Sequence, residues 1–280
     1  MMRAVRQRFS PSPRNTWCTE LSIEDRVSLV EAVEDDAYLL ADTSKRAFES
    51  DVEVGAKEPG GPPGYDSYKD QVRYMEYFDY YRITLDDYTV GGVMTAHHGE
   101  GHRELVRIFV DPESQRQGIG LRSMELVMSL YPDVKLWTLG TPEWNTRTKS
   151  FVEKLGFTQV GWTVEAEGRG RWYQKELGEG VNFHAVGELR DGMRNVTVEG
   201  EVEEKAMARM VRSRRRGETL SVTEAGLVDA SGRVLLTLWN EQIKQVKVGD
   251  RIRVENGYVS SYRGILQLNV GRAGKLVKLI

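Results

Sequence analysis

The stretch Arg107-Ile108-Phe109-Val110-Asp111-Pro112-Glu113-Ser114-Gln115-Arg116-Gln117-Gly118-Ile119-Gly120 decides how the first half of the chain is read. An apolar strand enters an Asp-Pro turn. Gln115-x-x-Gly118-x-Gly120 follows, and then Leu121, Met124, Val127 and Leu130 recur at helical spacing. Such a turn leaves unpaired backbone N–H groups at a helix N-terminus. Glycine lets an anion approach that backbone, and the helix dipole favours its negative charge. A diphosphate suits such a loop.

Downstream, Val134-Lys135-Leu136-Trp137-Thr138-Leu139 reads as a strand, and Asn145 opens a helix that ends Phe151-Val152-Glu153-Lys154-Leu155-Gly156-Phe157. The first stretch resembles motif A of the GNAT acetyltransferase superfamily, whose Gln/Arg-x-x-Gly-x-Gly/Ala loop holds the pyrophosphate of acetyl-CoA. The second resembles the family's motif B. The resemblance covers residues 17–178. It implies an α+β GNAT fold, a mixed central sheet with flanking helices, and N-acetyl transfer from acetyl-CoA to an amine on a small molecule or a basic protein.

The resemblance also implies roles. The strand before the loop splays, and Val110 offers a backbone N–H to the thioester oxygen. Ile108, Phe109, Gln115, Arg116, Gln117, Gly118, Ile119, Gly120 and Asn145 would contact the donor as well. Glu104, six residues before Val110, falls where several members place a catalytic glutamate. Strand alternation puts Glu104, Ile108 and Val110 on one face, from which Glu104 would act directly or through water. His97, His98 and His102 are rival bases, each read singly as a surface loop residue. One departure stands out: where the family carries a tyrosine that protonates the leaving thiolate, this chain has Val152. Tyr131 and Ser150 are conceivable substitutes.

A length of 280 residues suits two domains. No apolar run approaches the roughly 18 residues of a membrane span, and the basic start MMRAVRQRFSPSPRNT lacks the apolar stretch of a secretory signal. Residues 1–16 read as a disordered tail. Cys18 is the only cysteine, which excludes an intrachain disulfide and a cysteine metal cluster and fits a cytoplasmic location. No metal is expected. Residues 181–280 hold 17 Lys+Arg and 12 Asp+Glu, a net +5, which leaves −8 for the remainder. That division points to a cationic or amine partner for the first half and an anionic one for the second.

Helical spacing runs over 21–40 and resumes at 43–48. Residues 51–66 are Gly/Pro-rich and read as a long functional loop, whose Asp51 and Glu53 read first as solvated acids and could also meet a cationic acceptor. Strands are expected at 81–85, 90–96 and 102–110, with Asp86-Asp87 as a turn, and a closing hairpin at 159–164 and 172–177. A linker spans 179–187.

Beyond it, five short strands at 195–203, 219–229, 233–239, 251–259 and 265–271 suit a small all-β OB-fold barrel over 188–280. Val234-Leu235-Leu236-Thr237-Leu238-Trp239-Asn240, then Glu255-Asn256-Gly257-Tyr258, then Tyr262-Arg263-Gly264-Ile265-Leu266-Gln267-Leu268-Asn269 resemble the archaeal single-OB single-stranded-DNA-binding proteins. The resemblance implies that Trp239, Tyr258 and Tyr262 stack bases. Arg212, Arg214, Arg215 and Arg216 would contact phosphates, with Arg263 and Lys244 extending the path, on single-stranded DNA or RNA. The whole reads as an acetyltransferase tethered to single-stranded nucleic acid. The alternative is a single-strand-binding protein with a catalytically weak acetyl-CoA-sensing domain.

Overall fold

The computed structural model describes residues 22–165, 168–178, 183–212, 217–271 and 274–280. The expected tail 1–16, the start of the linker and Arg214, Arg215 and Arg216 lie outside these residues.

The helix expected over 21–40 is broken into separate elements. A single turn, α1 (Ile23–Arg26), leads into strand β1 (Val27–Glu31), and helix begins again only at α2 (Ala37–Glu49), which then runs through 43–48 without a break. Apolar residues at 27, 29 and 30 fit either period. Pairing decides, because β1 lies antiparallel to β2 (Asp79–Leu85) from Val27↔Leu85 to Glu31↔Tyr81. In α2, Ala37, Leu40, Ala41, Ser44 and Ala47 form the buried stripe. A further helix, α3 (Tyr68–Tyr77), was not expected. Ser67 caps it by accepting the Asp70 N–H, and its buried Gln71 accepts the Tyr80 hydroxyl at 2.6 Å.

Strand β3 (Tyr88–His97) follows β2 through Asp86-Asp87, both at positive φ (50° and 68°), as the tightest hairpins demand. Next come β4 (His102–Val110), α4 (Ile119–Leu130), β5 (Leu136–Pro142), α5 (Thr146–Lys154), β6 (Thr158–Glu165) and β7 (Gly168–Glu176). The sheet order is β1-β2-β3-β4-β5-β7-β6, antiparallel except for β4 with β5. Ile119, Met124 and Val127 of α4 and Val152 of α5 share a core with Ile83, Val93, Leu105 and Leu139 on one face. Leu130, expected on that buried face, is exposed. Leu40 and Ala47 of α2 pack with Tyr80, Met94 and Phe109 on the other face.

The second half contains β8 (Arg194–Lys205), β9 (Arg209–Arg212), β10 (Thr219–Asp229), β11 (Gly232–Trp239), α6 (Glu241–Gln245), β12 (Arg251–Tyr262), β13 (Ile265–Asn269) and β14 (Lys275–Leu279). The five expected strands close the ring β8-β10-β11-β13-β12-β8, around Val196, Val198, Leu227, Leu236, Ile252 and Leu268. This is the expected OB barrel. The arm β9, the short α6 and β14 were not foreseen.

β14 joins the halves. It pairs with β12 on one edge and with β6 on the other, from Val277↔Thr163 to Leu279↔Gly161. A β-carbon at residue 161 would collide with the Lys278 carbonyl oxygen, so glycine is what permits this approach. One hydrogen-bonded sheet therefore passes from the first domain into the barrel.

Candidate active site and nucleic-acid interface

β4 and β5 are paired only from His102↔Leu136 to Glu104↔Thr138. Beyond that point they separate, and β5 continues against β7 as far as Pro142↔Gly170. The other edge of β4 stays in register with β3, and the Asp111 N–H donates to the Val90 carbonyl at 2.8 Å. Antiparallel bonding alternates, so at Val110 and Ile108 the N–H and C=O groups point away from β3, into the opening. The Gln115 side chain donates to the Val110 carbonyl at 2.9 Å, in keeping with that direction. The N–H groups of Ile108 and Val110 thus face the cleft. Phe109 differs: its backbone bonds toward β3, and its ring is buried against α2.

The loop after β4 is held open by its own side chains. Asp111 accepts the Glu113 N–H at 3.0 Å and binds Arg46 of α2 through Nε at 2.9 Å and Nη2 at 2.5 Å. Arg116 and Gly118 take left-handed φ values of 62° and 86°. Gly118 is the N-cap of α4 and has no side chain to offer, and the first helical bond runs from the Arg122 N–H to its carbonyl at 3.0 Å. The N–H groups of Ile119, Gly120 and Leu121 are therefore without an intrahelical acceptor. Gly120 keeps this turn low: a β-carbon there would stand 3.3 Å from the Phe151 ring. Free donors at a helix N-terminus, beside cleft-facing strand N–H groups, fit an extended ligand with a diphosphate at one end.

Arg147 of α5, which sequence reading missed, braces this loop. Its Nη1 reaches Gln115 Oε1 and Ser50 Oγ, each at 3.0 Å, and lies 3.7 Å from Asp51. Asn145 caps α5 by accepting the Thr148 N–H at 2.9 Å and gives its amide to Asp51 at 3.1 Å. Both ends of Asn145 are thereby committed within the protein. Asp51 is buried, and burial pushes its carboxyl up against the opposing pull of Arg147. The reading of Asp51 as a solvated acid, open to an acceptor, is corrected: it is buried and ties the 50–54 turn to α5. Glu53 remains exposed.

The face assigned to Glu104 by simple alternation is corrected too. Arg107 pairs with Met94 and Leu105 with Thr95, so Val106 is an extra residue and the faces exchange there. Leu105, Ile108 and Val110 pack toward α4, which leaves Glu104 on the opposite face. Glu104 still lies where β4 and β5 part. It is buried, with Oε2 2.5 Å from His98 Nε2. His102 is buried as well, its Nε2 2.9 Å from Thr138 Oγ1 and its ring 5.3 Å from that of His98. Burial above all, helped by His98 and Arg253, pushes His102 down to about 3, so its ring is neutral. Only His97 is the surface residue expected of all three.

Val152 is wholly buried between α5 and the sheet and offers no proton. Tyr131 is engaged elsewhere, with its hydroxyl 2.8 Å from that of Tyr81 and Arg103 3.5 Å above its ring. Ser150 is exposed. Tyr173, in the same core as Val152, has a buried hydroxyl without a hydrogen-bond partner among the described residues.

On the barrel, Trp239, Tyr258 and Tyr262 are 38%, 37% and 58% exposed, which excludes a core role. Val234, Leu236 and Leu238 point inward on β11, so Trp239 points outward. Val259 points inward on β12, so Tyr258 and Tyr262 share the outer face. Registers connect them: Tyr258 lies opposite Asn269, which lies beside Thr237, two residues from Trp239. Arg263 stacks over the Tyr262 ring at 5.3 Å. Arg212 is on β9, in an arm that also places the unforeseen Arg209 across Val222 from Trp239. Lys244 is paired with Glu241 at 2.7 Å.

Residues 40–157 match the acetyltransferase (GNAT) family, and residues 193–278 match the single-stranded DNA binding protein Ssb-like OB fold. The chain joins a GNAT domain to an Ssb-like OB domain. It is 34% identical over 93 residues to the single-stranded DNA binding protein Ssb of Saccharolobus solfataricus, covering 33% of this chain and 62% of that protein. It is 37% identical over 79 residues to the uncharacterized protein YrkN of Bacillus subtilis, covering 28% of this chain and 43% of that one. The chain thus spans less than two thirds of either relative. Among solved structures, an acetyltransferase from Thermus thermophilus aligns at TM-score 0.45 and 18% identity, over 54% of this chain and 97% of that one. A PaiA N-acetyltransferase from Thermoplasma acidophilum, in complex with coenzyme A, aligns at 0.43 and 14%, over 54% and 98%.

Proposed function

We propose that the chain transfers an acetyl group from acetyl-CoA to an amine and is held on single-stranded nucleic acid by its barrel. The observation that carries the first half is the open N-terminus of α4, where Gly118 caps without a side chain beside the cleft-facing N–H groups of Ile108 and Val110. The loop donors from Arg116 to Gly120 would hold the diphosphate. The Val110 N–H would bind the thioester oxygen and stabilise charge that develops there. Glu104, at the apex of the opening, would take the proton from the attacking amine, with His98 fixing its orientation. The exposed Trp239, Tyr258 and Tyr262 would stack bases of a single strand, DNA or RNA, beside the cations of β9 and Arg263. A basic protein bound to the same strand is the acceptor this arrangement favours.

A second reading has its own support. Val152 is sealed in the core and supplies no acid, which favours a domain that binds acetyl-CoA and turns it over slowly. One experiment separates the two. Purified full-length protein is given labelled acetyl-CoA with a lysine-rich peptide, with and without a thirty-base oligonucleotide, and acetylated products are read by mass spectrometry. Transfer that falls by roughly 10²–10⁴-fold in Glu104→Gln, at unchanged acetyl-CoA affinity, supports the enzyme. Tight acetyl-CoA binding without transfer supports the sensor.

A further inference from the structure

The seat of the barrel on the GNAT domain buries ionisable groups from both. Glu255 of β12 is wholly buried. Its Oε1 accepts from Trp172 Nε1 of β7 at 2.9 Å and from Arg253 Nη1 at 3.1 Å. Its Oε2 has no hydrogen-bond partner among the described residues and lies 3.8 Å from His102 Nε2 on β4. Arg253 is shared with Glu199 of β8 at 2.6 Å and Gln174 of β7 at 2.9 Å, beneath the Phe183 ring. Lys275 of β14, opposite Glu255 in the ladder, stands 6.0 Å from the Trp172 ring centre. On the other side, His102 leads to His98, and His98 to Glu104. Both buried histidines have an Nδ1 without a partner among the described residues. A continuous buried path of ionisable groups thus runs from the apex of the cleft into the barrel, and its last member belongs to the barrel.

Docking alone does not require this. An apolar pair would fill the seam without the desolvation cost of a buried carboxyl. Burial pushes the Glu255 carboxyl up, and Glu104 adds to the effect. Arg253 and the Trp172 N–H pull the other way. Its charge is therefore contested between neighbours on both domains.

We propose that Glu255 is a positioning residue of the Glu104 site: the barrel lends the GNAT domain a carboxyl whose charge sets how tightly Glu104 holds its proton. The proposal rests on Glu104 serving as the base. Glu255 acts through its field, because 3.8 Å is too long for a hydrogen bond to His102. When it is ionised, its negative charge favours the protonated form of Glu104 and makes Glu104 the stronger base. When it is neutral, that support is lost.

The test uses the full chain, with indole nitrogens and histidine rings labelled for NMR across about pH 5 to 9. The Trp172 N–H, which donates to Glu255, and the ring signals of His102 beside it should share one titration step. Glu255→Gln keeps an acceptor for Trp172 and removes the charge. The shared step should vanish, and the acid limb of kcat/KM for acetylation of a lysine-rich peptide should move to lower pH by about half a unit or more, with KM for acetyl-CoA unchanged. Trp172→Phe decides the matter if the glutamine variant does not fold. Loss of a donor to the carboxylate should move the shared step to higher pH. The proposal is overturned by a wild type without a shared step, by a step that survives in Glu255→Gln, or by superimposable rate profiles. A wild type that never acetylates the peptide would sink the transferase reading on that probe, while the NMR steps still decide the link between the domains.

Discussion

Gly118 offers a quantitative test of the anion site, because strain, bulk and charge can be separated there. Its φ of 86° is left-handed, and a β-carbon added to it would meet only Ile23 Cγ2, at 3.9 Å. Gly118→Ala therefore adds no clash. It costs about 1–2 kcal/mol of backbone strain, which appears as a melting temperature lowered by a few degrees. Gly118→Asp carries the same strain and puts a carboxylate at the mouth of α4. A unit charge about 5 Å from one diphosphate charge, at an effective dielectric near 20, costs about 3 kcal/mol. That corresponds to roughly a hundredfold in Kd. Calorimetric titration with acetyl-CoA should find Gly118→Ala within about tenfold of wild type and Gly118→Asp weaker than Gly118→Ala by about two orders of magnitude. The gap between the variants should narrow as salt is raised. Equal affinities for two folded variants would mean that the diphosphate does not sit at this helix end, and the donor site would have to be sought elsewhere.

On the barrel, Trp239→Ala should weaken single-stranded DNA binding by about 5- to 150-fold in fluorescence anisotropy while leaving acetyl-CoA affinity unchanged. An unaltered anisotropy curve would remove the stacking role. Val152→Tyr places a larger side chain in a filled core, so it should cost about 1–3 kcal/mol in chemical denaturation and give no gain in transfer rate. A faster enzyme would show that the position can open to the cleft. Gly161→Val should break the β6–β14 pairing; protection of the Lys278, Ile280 and Trp162 amides from hydrogen exchange should fall, while protection inside the barrel ring persists.

The glycine turn before α4 and the five ring strands were legible because local chemistry and fold agree there. Gly118 and Gly120 permit what the loop needs, and Val234, Leu236 and Leu238 alternate as a half-buried strand must. Where signals were ambiguous the reading failed. Val27, Leu29 and Val30 satisfy two periods, and only β2 chooses between them. The extra residue at Val106 is invisible to any alternation count, yet it moves Glu104 to the other face. Asp51 looked like an exposed acid in a Gly/Pro-rich loop because its partners, Asn145 and Arg147, stand nearly a hundred residues away. Glu255 sat inside a stretch noted for its tyrosine, and nothing local to it shows that another domain covers it.

The pairing of β14 with β6 changes what joining these two domains accomplishes. Two modules on a loose linker search a volume, and the benefit of joining them declines smoothly as the linker lengthens. Here the strand path is hydrogen-bonded through the seam, so the distance from the stacking face to the cleft is a fixed length, like the jaw of a caliper. Doubling the residues between 178 and 183 should cost only about 0.6 kcal/mol in loop closure and leave the choice of acceptor amine untouched. On the function proposed above, amines at the one matching reach from a bound strand would be modified and those nearer or farther passed over, which would give the pattern of acetylated positions a spacing set by the protein and independent of the acceptor.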